Sequence, residues 1–429
     1  MDNRLYSLFC EHPHVSTDTR HIEPDSIFFA LRGTSFDGNR FAADALAQGA
    51  VCAVVDDPVV AATDSHMLLV DDTLQALQNL AREHRRALGI PIIAIAGSNG
   101  KTTTKELVSR VLAERYTVYA TRGNLNNHIG VPLTLLAMTS EIQLGVVEMG
   151  ASACGEIARL TAIAEPDYGL LTNIGRCHLE GFGGPEGVRR GKGELFDFLD
   201  DTGGWAFVRA DDPVLTEMAA EHPRLHAEHY DTSIADGFES RLEGDYNRFN
   251  IAAAVVVGRR FGVPEENIRH AIANYAPDNN RSQRIETQRN TLIVDCYNAN
   301  PSSMRASIEN FQKIPLGSRS QRVLILGDML ELGEWSQQEH TEIIRLALSA
   351  EDVHIHLVGN EFARAYAAMA ESTQQGDTRH PKSEPQQKIT LYPSRAELIK
   401  ALSNAPLSNT LILIKGSHSI GLEQSIENL

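Results

Sequence analysis

The stretch Gly97-Ser98-Asn99-Gly100-Lys101-Thr102-Thr103 constrains this chain more than any other. It follows an apolar run, Pro91 to Ala96 (PIIAIA), that reads as a buried strand, and it precedes Lys105 to Arg115, which reads as a helix. Strand, glycine turn, Lys-Thr and helix together make a phosphate cradle. The glycines let backbone N–H groups turn inward, the helix N-terminus adds partial positive charge, the Lys reaches β- and γ-phosphates, and a Thr hydroxyl can hold Mg²⁺. The spacing is G-x-x-G-K-T-T, shorter than the common G-x-x-x-x-G-K-[ST], because Ile95 stands where the longer pattern wants its first Gly. An ordinary glycine-rich turn is the competing reading, and the flanking strand and helix argue against it.

The chain has 429 residues, 42% hydrophobic and 22% charged, which describes a globular protein of two to four domains. A net charge of −17 argues against a nucleic-acid or anionic-membrane surface, so an anionic substrate must be held by local basic groups. Five scattered cysteines (Cys10, Cys52, Cys154, Cys177, Cys296) with no C-x-x-C fit a reducing, cytoplasmic setting. The opening MDNRLYSLF lacks the basic and apolar regions of a signal peptide, and no run approaches the length of a membrane span. The expectation is a cytoplasmic monomer with no membrane insertion.

The fold class expected is α/β in three domains. Residues 1–75 read as a small α/β domain around the apolar runs Ser26 to Leu31, Ala50 to Val55 and His66 to Val70, with a helix from Phe41 to Gln48. Residues 76–277 read as a parallel-sheet, P-loop domain with strands at 91–96, 117–120, 144–148, 168–173 and 205–208. Its helices are predicted at Leu74 to Leu88, Glu156 to Ala164 and Glu186 to Leu199. Residues 278–429 read as a Rossmann-like domain with strands at 291–296, 322–326, 353–358, 389–392 and 410–414 and helices at 301–313, 336–349, 360–370 and 394–404. Ser372 to Lys388, without strongly apolar residues, reads as a surface loop. In such sheets ligands sit beyond the carboxyl ends of the strands, where the cradle lies.

Other polar residues gather at the same kind of position. Glu148 ends the apolar strand GVVEMG and suits a Mg²⁺ ligand, with a solvated strand-end carboxylate as the plain alternative. Thr172-Asn173-Ile174-Gly175 ends the next strand, with His178 and Glu180 following. His178 alone is weak, but beside Glu148 and a cradle it is a metal-ligand candidate. A Cys177–His178 zinc site lacks a second pair at the right spacing. Lys192 lies between Gly191 and Gly193, two glycines that are unusual inside a helix and suggest close backbone approach to something, while a solvated basic face remains the alternative. Asp295-Cys296-Tyr297-Asn298-Ala299-Asn300-Pro301-Ser302-Ser303-Met304 packs more polar groups at a strand-to-helix junction than a cap requires. Lys415-Gly416-Ser417-His418 follows another strand and reads as a crevice cation or a surface turn. Arg20 and Arg32, the latter beside Gly33, could grip a diphosphate or be surface arginines.

Together these residues resemble the Mur ligase family, which joins amino acids or peptides to UDP-linked muramoyl precursors of peptidoglycan. The resemblance spans essentially the whole chain. G-x-x-G-K-T-T, the EMG strand end, T-N-I-G-x-x-H-L and the Lys192-x-Glu194 helix are its family-wide features, and the segments Asp295 to Met304, Gly327 to Gly333 (GDMLELG) and Asn279 to Gln283 match the branch that adds a D-alanyl-D-alanine dipeptide. The D-N-P-R sequence usual in the sister enzyme that adds the third residue is absent. The resemblance implies that Gly97, Ser98, Asn99, Gly100, Lys101, Thr102 and Thr103 cradle ATP and that Thr102, Glu148, His178 and a carbamylated Lys192 hold two Mg²⁺ ions. It implies that Asn250 contacts adenine and that Arg281 and Asp295 reach the phosphates and ribose. Asn124, Asn126 and Asn127, with Tyr297, Asn298, Asn300 and Ser303, would face substrate, and Thr19, Arg20 and Gly33 the UDP end. The implied partners are UDP-N-acetylmuramoyl-tripeptide and D-Ala-D-Ala, joined through an acyl phosphate as the third domain closes on the ATP site.

Three departures stand out. Tyr246 occupies a position where many members carry His, His418 one where KGSR is usual, and only about 30 residues separate Asp211-Asp212 from Gly244, where a central-domain hairpin is expected to be missing. Within the class, the alternatives are the ligase for the third residue and a folylpolyglutamate synthase-like ligase. Outside it, the alternative is an ATP-hydrolysing P-loop module.

Overall fold

The computed structural model describes residues 3–277, 280–350, 352–374 and 389–429, and its α/β architecture contains three sheets. The first is a parallel sheet of β1 (His14–Ser16), β2 (Ser26–Phe29), β3 (Cys52–Val55) and β4 (Met67–Leu69) in that order. The middle sheet holds β5 (Ile92–Ala96), β6 (Val118–Ala120), β7 (Leu144–Glu148), β8 (Tyr168–Leu171), β9 (Trp205–Arg209) and β10 (His226–Tyr230). Its order is β10-β9-β8-β5-β7-β6, all parallel. The third holds β11 (Gln283–Glu286), β12 (Asn290–Val294), β13 (Gln321–Gly327), β14 (Val353–Val358), β15 (Ile389–Tyr392) and β16 (Thr410–Lys415) in the order β11-β12-β16-β13-β14-β15. Only β11 in it runs antiparallel.

The continuous apolar runs follow from burial on both faces. In β5, Ile93 and Ile95 join one core cluster with Leu107, Val108 and Val111 of the helix Lys101–Ala113 and with Ile251 to Val257 of the helix Asn247–Arg260. The intervening Ile92, Ala94 and Ala96 face the opposite cluster, with Ile157 and Leu160 of Glu156–Ala164 and Leu195 and Phe196 of Pro185–Thr202. The helix that follows β5 thus covers one face while those that follow β7 and β8 cover the other. Their loops diverge at the carboxyl end of β5, which opens a crevice there.

Sequence expectation and structure part company at a few places. The cradle helix starts at Lys101, not Lys105, so the helix N-terminus lies within the cradle itself. The helix Asn3–Glu11 and strands β1, β10 and β11 lack the apolar runs that mark the others. The short segment after Asp212 forms the helix Pro213–Ala220, β10 and a turn of 3-10 helix at Thr232–Ala235. Ser372 to Gln374 extend the helix Asn360–Gln374, a correction to the loop reading, and the rest of that expected loop lies outside the described residues, as do Asp278 and Asn279.

Lys192 is in the interior of the helix Pro185–Thr202, 1% exposed. What approaches its glycines is the chain itself. A Cβ on Gly191 would sit 2.5 Å from the ring of Phe182, and one on Gly187 only 1.8 Å from the Phe182 carbonyl oxygen. The glycines let the short helix Leu179–Phe182 press its Phe182 ring onto the Lys192 side chain, Nζ 4.9 Å from the ring centroid. Gly187→Ala should gain roughly 0.5–1 kcal/mol of helix propensity and lose more to a backbone clash that no rotamer relieves, about 1–3 kcal/mol. The check is thermal unfolding: the midpoint falls, and an unchanged or raised midpoint contradicts this packing.

Candidate active site

The cradle is held by the strand beside it. Gly97 takes φ +127°, and a Cβ there would lie 2.2 Å from Thr172 Oγ1; Gly100 takes φ +81°. After β8, Asn173 closes on the loop: its carbonyl accepts Ser98 N–H at 3.0 Å, and its side-chain oxygen accepts Asn99 N–H at 3.1 Å. Thr172 Oγ1 donates to the Asn99 carbonyl at 2.6 Å, and Ser98 Oγ accepts Gly175 N–H at 2.9 Å. Gly100, as N-cap of Lys101–Ala113, offers no side-chain acceptor, which leaves the first helical N–H groups for an anion. Lys101 Nζ folds back on the carbonyls of Gly97 and Ser98 at 2.8 and 3.0 Å. Burial pushes its pKa down, against an upward pull from Glu148.

Glu148, at the end of β7, is 2% exposed. Its Oε1 accepts from Thr102 Oγ1 at 3.3 Å and from Asn126 Nδ2 at 2.8 Å, while Oε2 is buried with no hydrogen-bond partner among the described residues. A buried carboxylate oxygen left over beside a P-loop threonine suits a hard cation. His178 stands on a left-handed residue, φ +47°, and its Nδ1 hydrogen-bonds Glu331 of the third sheet's side. Burial lowers its pKa, so the neutral ring donates from Nδ1 and keeps a lone pair on Nε2. Lys192 Nζ donates to the Ala151 carbonyl at 2.8 Å, and burial, with the Lys101 charge adding to it, pushes its pKa down to about 7. No three His, Cys, Asp or Glu side chains gather as a metal cluster among the described residues. Cation binding here would need oxygens from a modified Lys192 or from bound phosphates.

The third domain supplies the other wall. Asp295 accepts from Lys415 Nζ and Ser307 Oγ, both at 2.6 Å, and from Ser282 N–H at 3.2 Å. Arg281 lies 3.8 Å over the Tyr297 ring, whose other neighbour is the stacked His418 ring at 5.4 Å. Asn300 does cap the helix Pro301–Lys313, in a capping box with Ser303, but it also reaches across to Asn99 Oδ1 at 2.7 Å. Ser302 Oγ accepts Arg176 N–H at 2.8 Å, and Arg176 pairs with buried Glu339 at 2.9 Å. The polar density at Asp295 to Met304 is thus both a cap and a cross-domain seam.

Between these walls lies a cleft of about 750 Å³. The expected residues Ser98 to Thr103, Asn124, Asn126, Asn127, Glu148, His178, Asn250, Arg281, Asp295, Tyr297, Asn298, Asn300 and Ser303 all line it. Asn250 is engaged from below, accepting from Thr104 at 3.0 Å and donating to Asn247 at 2.7 Å, and Tyr246 hydrogen-bonds Ser282 at 2.6 Å. Lys192 sits behind the cleft, not on its lining. Thr19, Arg20 and Gly33 are not brought to this cleft; Arg20 pairs with Asp18 at 2.6 Å, and Arg32 with Asp56 at 2.8 Å. Sequence reasoning left out Glu331, Arg209 and Phe249, which also line it. Glu331 falls inside the GDMLELG segment, and Arg209 ends β9 as Glu148 ends β7, which were the available signals.

Three family descriptions match the chain: "Mur ligase family, catalytic domain" over residues 13–85, "Mur ligase middle domain" over 95–253 and "Mur ligase, glutamate ligase domain" over 280–418. A Bacillus subtilis protein described as UDP-N-acetylmuramoyl-tripeptide–D-alanyl-D-alanine ligase is 32% identical over 97% of this chain and 92% of its own length. The Escherichia coli protein of that description is 32% identical over 97% and 93%. A crystal structure of MurF from Acinetobacter baumannii superposes with a TM-score of 0.83 at 30% identity, covering 97% of this chain and 93% of that one. A Thermotoga maritima MurF ligase in complex with ADP shares the fold, with a TM-score of 0.80 at 24% identity over 97% and 96%. With its fold, its cleft and its full-length relatives in agreement, the chain belongs to the Mur ligase family.

Proposed function

We propose that the chain is an ATP-dependent ligase that adds D-alanyl-D-alanine to UDP-N-acetylmuramoyl-tripeptide, completing the pentapeptide precursor of peptidoglycan. The observation that carries this is one cleft in which a phosphate cradle, a buried carboxylate with a free oxygen and the Asp295 to Met304 wall meet. The tripeptide carboxylate attacks the γ-phosphate, ADP leaves, and the resulting acyl phosphate is taken by the dipeptide amine with loss of phosphate. The physical difficulty is that carboxylate and triphosphate repel each other.

This chain's groups answer that repulsion. The first-turn N–H groups and Lys101 hold the phosphates, Lys101 exchanging its loop carbonyls for phosphate oxygens. Asp295 and Arg281 reach the nucleotide from the third domain, Asn250 lies at the adenine side, and Asn124, Asn126, Asn127, Tyr297, Asn298, Asn300 and Ser303 position the acyl donor and acceptor. Thr19, Arg20 and Gly33 take the UDP end on the first domain, remote from the chemistry. Two Mg²⁺ ions, held by Thr102, Glu148, His178 Nε2 and a carbamylated Lys192, would supply charge neutralisation. Lys192 suits carbamylation because a pKa near 7 keeps part of its amine uncharged and nucleophilic towards CO2. The nucleotide substrates favour the cytoplasm, and the three domains need no second copy to build the cleft, so we place the enzyme there as a monomer. No helix among the described residues is long and apolar enough to cross a membrane.

The direct test is phosphate release from ATP with the UDP-linked tripeptide, with and without D-Ala-D-Ala. Release should require both and give a product heavier by the dipeptide; amine-independent release would instead indicate an ATP-hydrolysing module. Lys101→Ala should abolish turnover with an intact circular-dichroism spectrum, and near-normal turnover in it refutes the cradle assignment. Lys192→Ala should lose about 100-fold in kcat and recover part of it with added short carboxylates, which replace the missing oxygen ligand. Full activity without rescue refutes the carbamate.

A further inference from the structure

Lys105 is a buried cation that the chemistry above leaves without a task. It lies one turn after Lys101 on the helix Lys101–Ala113 and is 1% exposed. Taking an ammonium out of water is costly unless it is both paired and hydrogen-bonded. Lys105 is both: its Nζ donates to the Thr121 carbonyl at 2.6 Å and pairs with Glu106 Oε1 at 2.9 Å. It is not on the lining of the cleft, so it acts on a ligand only through what it holds.

What it holds is the entry of the asparagine loop. Thr121 is the residue just past β6 and is itself buried. Its N–H donates to the Val146 carbonyl of β7 at 3.0 Å, and its Oγ1 accepts the N–H of Glu148 at 3.0 Å. The chain then enters the loop that carries Asn124, Asn126 and Asn127. Asn126 returns to the same carboxylate, donating to Glu148 Oε1 at 2.8 Å, while its carbonyl accepts Gly150 N–H at 2.7 Å. Asn127 closes the loop: its side chain accepts Gly130 N–H at 2.8 Å, at the start of the helix Gly130–Leu136.

The first turns of one helix therefore index the separate parts of the site. Lys101 stands in the phosphate cradle, Thr102 reaches Glu148 at 3.3 Å, Thr104 reaches Asn250 at 3.0 Å, and Lys105 reaches Thr121. The Lys105 contact is charge-assisted and made by a long side chain, which suits a tie between a helix and a loop that has no strand of its own.

We infer that Lys105 is a positioning residue for the acyl donor: by anchoring Thr121 it sets the Asn124 to Asn127 loop and Glu148 in register with the phosphate cradle. This rests on the ligase reading above and on the donor-facing place it gives those asparagines. A lysine that served stability alone would be equally buried, so the test reads the two substrates separately.

In Lys105→Met, which keeps the length and removes the donor, KM for UDP-N-acetylmuramoyl-tripeptide should rise about tenfold, while the affinity for ADP, measured by calorimetry without tripeptide, stays within about twofold. Equal losses for tripeptide and ADP would reduce Lys105 to a core tie and overturn the inference. Asn126→Ala supplies a cycle: if Lys105 acts through this loop, the double variant loses less than the product of the two single losses in tripeptide KM. Independent, multiplicative losses would overturn it. Should Lys105→Met fail to fold, Thr121→Val decides, because it deletes the hydroxyl that takes Glu148 N–H at nearly the same shape. It should also raise tripeptide KM with ADP affinity intact, and an unchanged KM would overturn the path through Thr121. A wild-type protein with no tripeptide-dependent turnover would instead overturn the ligase reading, and this role with it.

Discussion

Two buried lysines in one site, the charge of one depressing the protonation of the other, are an electrostatic problem that the fold does not solve by itself. Lys101 and Lys192 are both pushed down by burial, and the charge of Lys101 adds to the shift at Lys192. Against them stands the buried carboxylate of Glu148, whose Oε2 has no hydrogen-bond partner among the described residues. Both signs of charge are therefore incomplete in the protein alone, and both are completed by the same ligands. In the function proposed here, phosphates would answer Lys101, divalent cations would answer Glu148, and a carbamate would turn Lys192 from a cation into an oxygen ligand. The rest of the site follows from keeping this cluster dry and fixed, because desolvated charges attract and repel far more strongly than those in water.

Fixing it falls to backbone and packing as much as to the polar residues themselves. The loop after β8 clamps the cradle through Thr172 and Asn173, and the glycines of Pro185–Thr202 admit the Phe182 ring that shields Lys192. The third domain meets the cradle through polar contacts: Asn300 to Asn99, Ser302 to Arg176, and Glu331 to His178. Such contacts align two walls without welding them, which suits a cleft that must admit three reactants and release three products.

The parts legible in the sequence were those encoded locally. The cradle, Glu148 and the buried strands announce themselves through short runs in which motif and apolar pattern coincide. β10 (HAEHY) and β11 (QRIE) do not, because edge strands with half-exposed faces carry no apolar run. The glycines around Lys192 were read as room for some approaching group, and only the fold shows that group to be Phe182 at Gly191 and Met218 at Gly193. Glu331 was invisible for a different reason. Its partner His178 lies 153 residues away, and its place in the cleft goes with a left-handed backbone that a Glu in LELG does not advertise. Thr19, Arg20 and Gly33 lie on the first domain, outside the central cleft.

The central claim is that the cleft joins a carboxylate to phosphate before the amine arrives. Tripeptide labelled with 18O in its terminal carboxylate tests it most directly, read by mass spectrometry of the released phosphate. Transfer of one 18O atom into phosphate for each amide formed is the result this account predicts. Phosphate free of label, with amide formed all the same, would contradict it.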